Sequence, residues 1–201
     1  MRARRSERGI SLAEVTIMLM VMSVMSAVMT PVIGDYVNDA RHVKAAGDVQ
    51  VLAASFARFA FDARTEQPSD REWSRYDVLV GQGPAPAVGT GGDAAWTGEA
   101  DEHRVGLLEE HLIRNMPGYL TTCGQNVAFW APRWRGPYLA SGIGPDPWGH
   151  RYAINVWSQT HSGGHLVVLS AGPNGLVETP FAEAGVAPGG DDIVAVIGSG
   201  G

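Results

Sequence analysis

The stretch RGISLAEVTIMLMVMSVMSAVMTPVIG, Arg8 to Gly34, carries one charge after its first residue, the carboxylate of Glu14. As a helix, Ile10 to Ile33 covers about 36 Å at ~1.5 Å per residue, enough to cross a hydrocarbon core of about 30 Å. Arg2, Arg4, Arg5 and Arg8 precede it, which predicts a cytoplasmic N-terminus and a body that crosses. A Sec signal peptide is the alternative. Its apolar region is usually shorter and ends in an A-x-A-like site, whereas this run enters a further helical pattern.

A carboxylate at the centre of a membrane helix costs about 2.5–3.5 kcal/mol, and less near the end of the span. A cut between Gly9 and Ile10 would create an α-amino group one turn from Glu14. That amine could pair with Glu14 of the same chain or of a neighbour. The neighbour pairing forms only on assembly, so it would favour the correct stagger. Pro31 removes a helical hydrogen bond and marks a position for a helix kink. Met18, Met20, Met22, Met25 and Met29 are adaptable side chains suited to lipid or to helix–helix contacts.

The chain has 201 residues and a formal charge of -6, room for one ordinary domain with an appendage. The basic residues before Gly9 leave the remainder more acidic still. Binding to nucleic acid through phosphates, or to anionic lipid by surface charge, is therefore excluded as an expectation. Cys123 is the single cysteine, so no intrachain disulfide is possible.

After Gly34 an apolar stripe at Tyr36, Ala40, Val43, Ala46, Val49, Leu52, Phe56 and Phe59 extends the helix to about Ala63. Residues 65–101 read as a surface insertion rather than a linker between domains; within them a short candidate element at Tyr76–Val80 is followed by a flexible loop, Gly81–Asp101, rich in Gly, Pro and Ala. Val105–Met116 has a helical pattern that Pro117-Gly118 would stop. Tyr152–Trp157 and His165–Ser170, joined through HSGG, predict an antiparallel hairpin. Asp192–Ile197 is a third candidate strand. The expected class is α+β: a long N-terminal helix, half transmembrane and half amphipathic, packed on a small antiparallel sheet within a loop-rich head.

Gly9-Ile10-Ser11-Leu12-Ala13-Glu14 resembles the processing site of type IV pilin-like prepilins. The resemblance implies a leader at 1–9 removed by prepilin peptidase, N-methylation of Ile10, and Glu14 fifth in the mature chain as the assembly carboxylate. Ile stands where Phe or Met is more usual. Pro31 falls where pilins often have a helix-kinking proline. Trp134-Arg135-Gly136-Pro137-Tyr138-Leu139 and Asp146-Pro147-Trp148-Gly149-His150-Arg151-Tyr152 resemble the W-x-G-P-Y-L and D-P-W-G-x-x-Y signatures of the major pseudopilin of type II secretion systems. Read physically, Pro147 and Gly149 set a turn, Asp146 accepts its amides, and Trp148 and Tyr152 pack on the helix stripe.

Ser170-Ala171-Gly172-Pro173-Asn174-Gly175 and Gly189-Gly190-Asp191-Asp192-Ile193 resemble the two loops that enclose calcium in that family. The match assigns the carbonyl of Ala171 with Asn174, Asp191 and Asp192 to the ion, which takes about six to eight oxygens. Asn174 replaces a charged ligand and the intervening segment is long; Glu178 or Glu183 could compensate. A solvated acidic turn is the alternative reading.

The family implies residues 10–33 as transmembrane and assembly helix and 34–201 as a periplasmic head. It implies a single-pass protein of the bacterial inner membrane that enters a pseudopilus. Partners would be copies of itself, minor pseudopilins, prepilin peptidase, the inner-membrane assembly platform and, before assembly, membrane lipid. A type IV pilin, a minor tip pseudopilin (which the insertion would support) and a membrane-tethered enzyme are the alternatives. No catalytic constellation emerges, so no enzyme is expected. His161 and His165 flank a Ser-Gly-Gly turn rather than a helix, a poor metal spacing. Cys123 reads as a structural thiol, since nothing fixes a histidine beside it.

Overall fold

A computed structural model describes residues 9–63, 75–99, 104–119, 121, 133–157, 165–182 and 187–197. Cys123, His161, Glu183, the leader before Gly9 and the HSGG turn lie outside them. One helix, α1 (Leu12–Asp62), opens the chain. Two compact units divide at Ala40 and Arg41, and α1 contributes to both.

In the first unit every described side chain from Ile10 to Ile33 is exposed. By length and composition α1 can cross a membrane or serve as a signal sequence. Three of its hydroxyls are satisfied from within. Thr16 donates to the Leu12 carbonyl, Ser23 to that of Met20, and Thr30 to that of Ser26. None of these groups needs a water or partner inside hydrocarbon. Helical backbone continues through position 31; the Pro31 side chain lies outside the described residues.

In the second unit the remainder of α1 buries Ala45, Val49, Leu52, Ala53, Phe56 and Phe59, and Ala63, just past its end, is buried too. The start of the expected stripe is corrected: Tyr36 and Val43 are 73% exposed, and Ala40 and Ala46 are also exposed. Steps of three residues turn about 300°, so each drifts about 60° around the helix. Val43 and Ala46 thus walk away from the face of Val49, while Ala45, four residues before Val49, stays on it.

Seven short strands follow: β1 (Val78–Val80), β2 (Ala87–Val88), β3 (Val105–Leu107), β4 (Ala153–Asn155), β5 (Leu166–Ser170), β6 (Leu176–Val177) and β7 (Ile193–Ile197). Five form a sheet in the order β3-β1-β4-β5-β7, and β2 pairs with β6. The β4–β5 hairpin is antiparallel, with Ala153 opposite Leu169, and β7 joins β5 antiparallel, with Val168 opposite Ala195. The expected antiparallel sheet is nonetheless mixed, because β1 and β3 run parallel, with Val78 opposite Val105. Parallel neighbours need a crossover of about a dozen residues or more. Here the crossover is the stretch from Gly81 to Arg104.

The composition of that stretch predicts a flexible insertion; its described part is instead packed in the head. Its β2 runs parallel to β6, with Val88 opposite Val177, and its 3-10 helix Ala94–Thr97 buries Trp96 completely. Side-chain alternation gives the sheet two buried faces. Leu79, Ile154, Val168 and Ala195 face the core with α1. Val78, Val80, Ala153, Val167 and Leu169 face Trp96, Val177 and Phe181.

The helical expectation for Val105–Met116 is corrected at both ends. Its first three residues form β3, and a π-helical turn, Glu110–Arg114, ends at Asn115, which takes φ 49 before Pro117 is reached. The motif Trp134–Leu139 clamps this turn to α1. The Trp134 indole donates to the His111 carbonyl at 2.8 Å and the Tyr138 amide to that of Leu112 at 2.8 Å. The Tyr138 hydroxyl donates to Asp62 at 3.0 Å, while burial pushes that phenol's pKa up to about 12.

Candidate functional site

The N-terminal residues come first. Gly9 and Ile10 are exposed and outside the helix, which starts at Leu12. Ser11 and Glu14 form a reciprocal capping box. The Ser11 hydroxyl accepts the Glu14 amide at 3.2 Å, and a Glu14 carboxylate oxygen accepts the Ser11 amide at 3.3 Å. Two amides that the first helical turn cannot pair are thereby satisfied. With residues 1–9 attached, Glu14 therefore has a partner in Ser11. The pilin-like reading of the sequence passes over Ser11, although S-L-A-E fits the S-x-x-E capping pattern. Ser11→Ala should weaken this first turn by about 1 kcal/mol, read as faster amide exchange at Glu14 and Val15 in micelles.

The turn at Asp146 forms as its sequence predicts. Asp146 is buried, and one of its oxygens accepts the amides of Trp148 at 3.0 Å and His150 at 2.9 Å. The other accepts the Ser170 hydroxyl at 2.7 Å. Gly149, at φ 101, closes the turn with its amide on the Asp146 carbonyl at 2.9 Å. Tyr152 is fully buried and donates to Asp48 of α1 at 2.9 Å. Trp148 meets His42 of α1 edge-on at 5.1 Å. This turn therefore fastens the sheet to α1 and hands Ser170, through Asp146, to the loop that follows.

That loop carries Ala171 and Asn174, and the facing loop carries Asp191 and Asp192. Gly172, at φ 64, lies so close that a Cβ would collide with the Asp191 carbonyl. The Asn174 amide donates to an Asp191 oxygen at 3.1 Å, and its side-chain nitrogen donates to Glu178 at 3.1 Å. The Asn174 side-chain oxygen accepts the Leu176 amide at 2.6 Å. Oδ2 of Asp192 accepts three donors: the Glu178 amide at 2.9 Å, the Thr179 amide at 2.7 Å and the Thr179 hydroxyl at 2.6 Å.

The second oxygens differ. Oδ1 of Asp191 and Oδ1 of Asp192 are buried with no hydrogen-bond donor among the described residues. A buried anionic oxygen left unpaired is costly. Burial pushes the Asp192 carboxyl above the ordinary carboxylate range, and the charge of Asp191 adds to this, against the pull of the Thr179 and Glu178 donors. An oxygen-seeking cation would supply the missing partner, so these residues fit calcium by donor chemistry. Among the described residues no group of three or more His, Cys, Asp and Glu is gathered for a metal. The set expected from the sequence would instead combine two carboxylates with an amide and a backbone carbonyl.

His111 is a second feature that the sequence does not single out. It is fully buried, ringed by Phe59, Tyr76 and Tyr119, with Nδ1 at 2.6 Å from the Tyr119 hydroxyl and Nε2 without a partner among the described residues. Burial pushes its pKa down to about 4 from 6.5. Its position in a turn of apolar period carries no sequence signal for this burial.

No family model, curated protein or solved structure matches the chain.

Proposed function

We propose that the chain is a structural subunit of a periplasmic pseudopilus of a type II secretion system. It is cut by prepilin peptidase between Gly9 and Ile10, methylated on Ile10, and assembled by packing of its N-terminal helix. The observation that carries this reading is one conjunction. An exposed, non-helical Gly9–Ile10 bond stands just ahead of an apolar helix whose only carboxylate before Asp35 is Glu14. Gly9 adds support, because nothing lies within 4 Å of where its Cβ would be. Among the described residues the fold makes no demand for glycine there, which leaves the position free to serve recognition by a peptidase. After the cut, Glu14 would exchange the Ser11 amide for the new amine of Ile10, most usefully on a neighbour.

On this reading the head lies in the periplasm and the chain's partners are its own copies, minor pseudopilins, the peptidase and the inner-membrane platform. The test is co-expression with the secretion machinery, which should yield sheared filaments containing the chain. A chain that remains a lone membrane protein would contradict it.

Calcium is the proposed ligand of the acidic loops, held by Asp191, Asp192, Asn174 and the Ala171 carbonyl. Its contribution would be charge compensation and cross-linking of the two loops. Calorimetry on the full chain in detergent should give a dissociation constant of about 10⁻⁴–10⁻³ M, the range of extracellular calcium modules. Asp192→Asn should abolish the heat of binding. Absence of heat from the unsubstituted chain would remove calcium from the account.

A further inference from the structure

The crossover does more than return the chain to the sheet. Asp93 caps its 3-10 helix by accepting the Ala95 amide at 2.9 Å, and Gly98, at φ 66, closes it. This fixes Trp96, whose ring is fully buried and meets Phe181 edge-on at 5.1 Å. The Trp96 indole donates to the Thr179 carbonyl at 2.9 Å. Thr179 in turn gives both its amide and its hydroxyl to Oδ2 of Asp192, and that hydroxyl accepts the Gly189 amide at 3.0 Å.

The same segment holds the residues before Thr179. The Ala87 amide donates to the Gly175 carbonyl at 3.0 Å and the Gly89 amide to that of Val177 at 2.8 Å. A Cβ at Gly92 would collide with the Val177 carbonyl, so only glycine lets the crossover approach so closely. Residues 175–179 are therefore gripped by the crossover through β2 and Trp96, while Glu178 and Thr179 also hold Asp192.

We infer that the part of the crossover from Gly83 to Gly98 is the positioning element of the cation site, with Trp96 acting through Thr179 to assign the two oxygens of Asp192. Oδ2 is held by three protein donors. Oδ1, on a residue only 6% exposed, is buried without a donor among the described residues, which leaves it as the oxygen for the cation. Such outer-shell partners orient ligands and tune affinity. Linkage then requires that a bound cation favour the docked crossover by the same factor that docking favours the cation. The inference rests on the calcium reading above and adds the coupling.

The experiment uses the full chain in detergent micelles with calcium chloride as the probe. Calorimetry first establishes binding. Amide hydrogen exchange at Ala87 and Gly89, which needs no variant, should slow roughly fivefold or more when calcium is added. Trp96→Phe keeps an aromatic ring beside Phe181 but removes the indole donor. It should weaken calcium binding roughly fivefold, the effect of one neutral hydrogen bond. It should also shrink the calcium-induced rise in Tm, a readout that a packing role alone would leave intact.

Calcium binding with unchanged exchange at Ala87 and Gly89 overturns the coupling. So does equal calcium affinity in the Trp96→Phe variant. No binding by the unsubstituted chain overturns the calcium reading and the coupling together, and is told apart because it shows before any variant is made. If Trp96→Phe fails to fold, the exchange measurement alone decides.

Discussion

Glu14→Ala is expected to give a chain that is cut at Gly9–Ile10 and reaches the membrane normally but does not enter filaments. The capping box shows what the carboxylate does while residues 1–9 are attached: it pairs with the Ser11 amide. Capping contributes about 1 kcal/mol, too little to make the residue indispensable to the monomer. On the proposed assembly, the larger effect would arise in the filament. There the carboxylate would sit in hydrocarbon opposite the Ile10 amine of a neighbour, and removing one partner of such a buried pair costs about 3–5 kcal/mol. At about 1.4 kcal/mol per tenfold, assembly falls by more than roughly a hundredfold per contact. The comparison that checks it is sheared-fibre yield against membrane-inserted chain in the same cells. Normal fibre yield from Glu14→Ala would remove the carboxylate from the assembly mechanism.

Acid should weaken the head through His111. The native pKa is pushed down to about 4 by burial, against an ordinary value of 6.5. Between those values the unfolded chain binds a proton that the native chain refuses, so stability rises with pH across this window. The contribution is fully present above about pH 6.5 and is lost as pH falls toward 4. Each pH step of one across the window removes about 1.36 kcal/mol, so the whole loss is about 3 kcal/mol. Urea unfolding from pH 7 to pH 4 should show this slope, and His111→Phe should flatten it whatever it does to stability at pH 7. The aromatic ring preserves the packing against Phe59 and Tyr76, so the comparison isolates the proton. An unchanged slope in the variant would mean that other groups carry the acid sensitivity.

Much of the frame was legible because the signals were local. Apolar continuity from Ile10 to Ile33 gave the first part of α1. Val49, Leu52, Phe56 and Phe59 marked its buried face, and β-branched residues marked β5 and β7. The Asp-Pro-Trp-Gly turn was legible because its carboxylate, proline and glycine act within a few residues of one another.

What escaped the sequence depended on long-range partners. β3 is three residues long and reads as the start of the helix beside it; only its parallel register with β1 makes it a strand. The crossover looked flexible because Gly, Pro and Ala carry no period. Its order comes from Trp96 reaching Thr179, far along the chain. The closeness of the two loops was partly legible: Asn174 and Asp191 do meet, through the Asn174 main-chain amide. Which oxygens are held and which are left without donors could be read only from the fold.

The account turns on the bond between Gly9 and Ile10. Intact mass and N-terminal sequencing of the protein from membranes co-expressing a prepilin peptidase test it most directly. The account predicts a chain beginning at Ile10 with one methyl group on its amine. An uncut chain, or one cut well after Ala27, would contradict it and leave α1 as a plain anchor or a signal peptide.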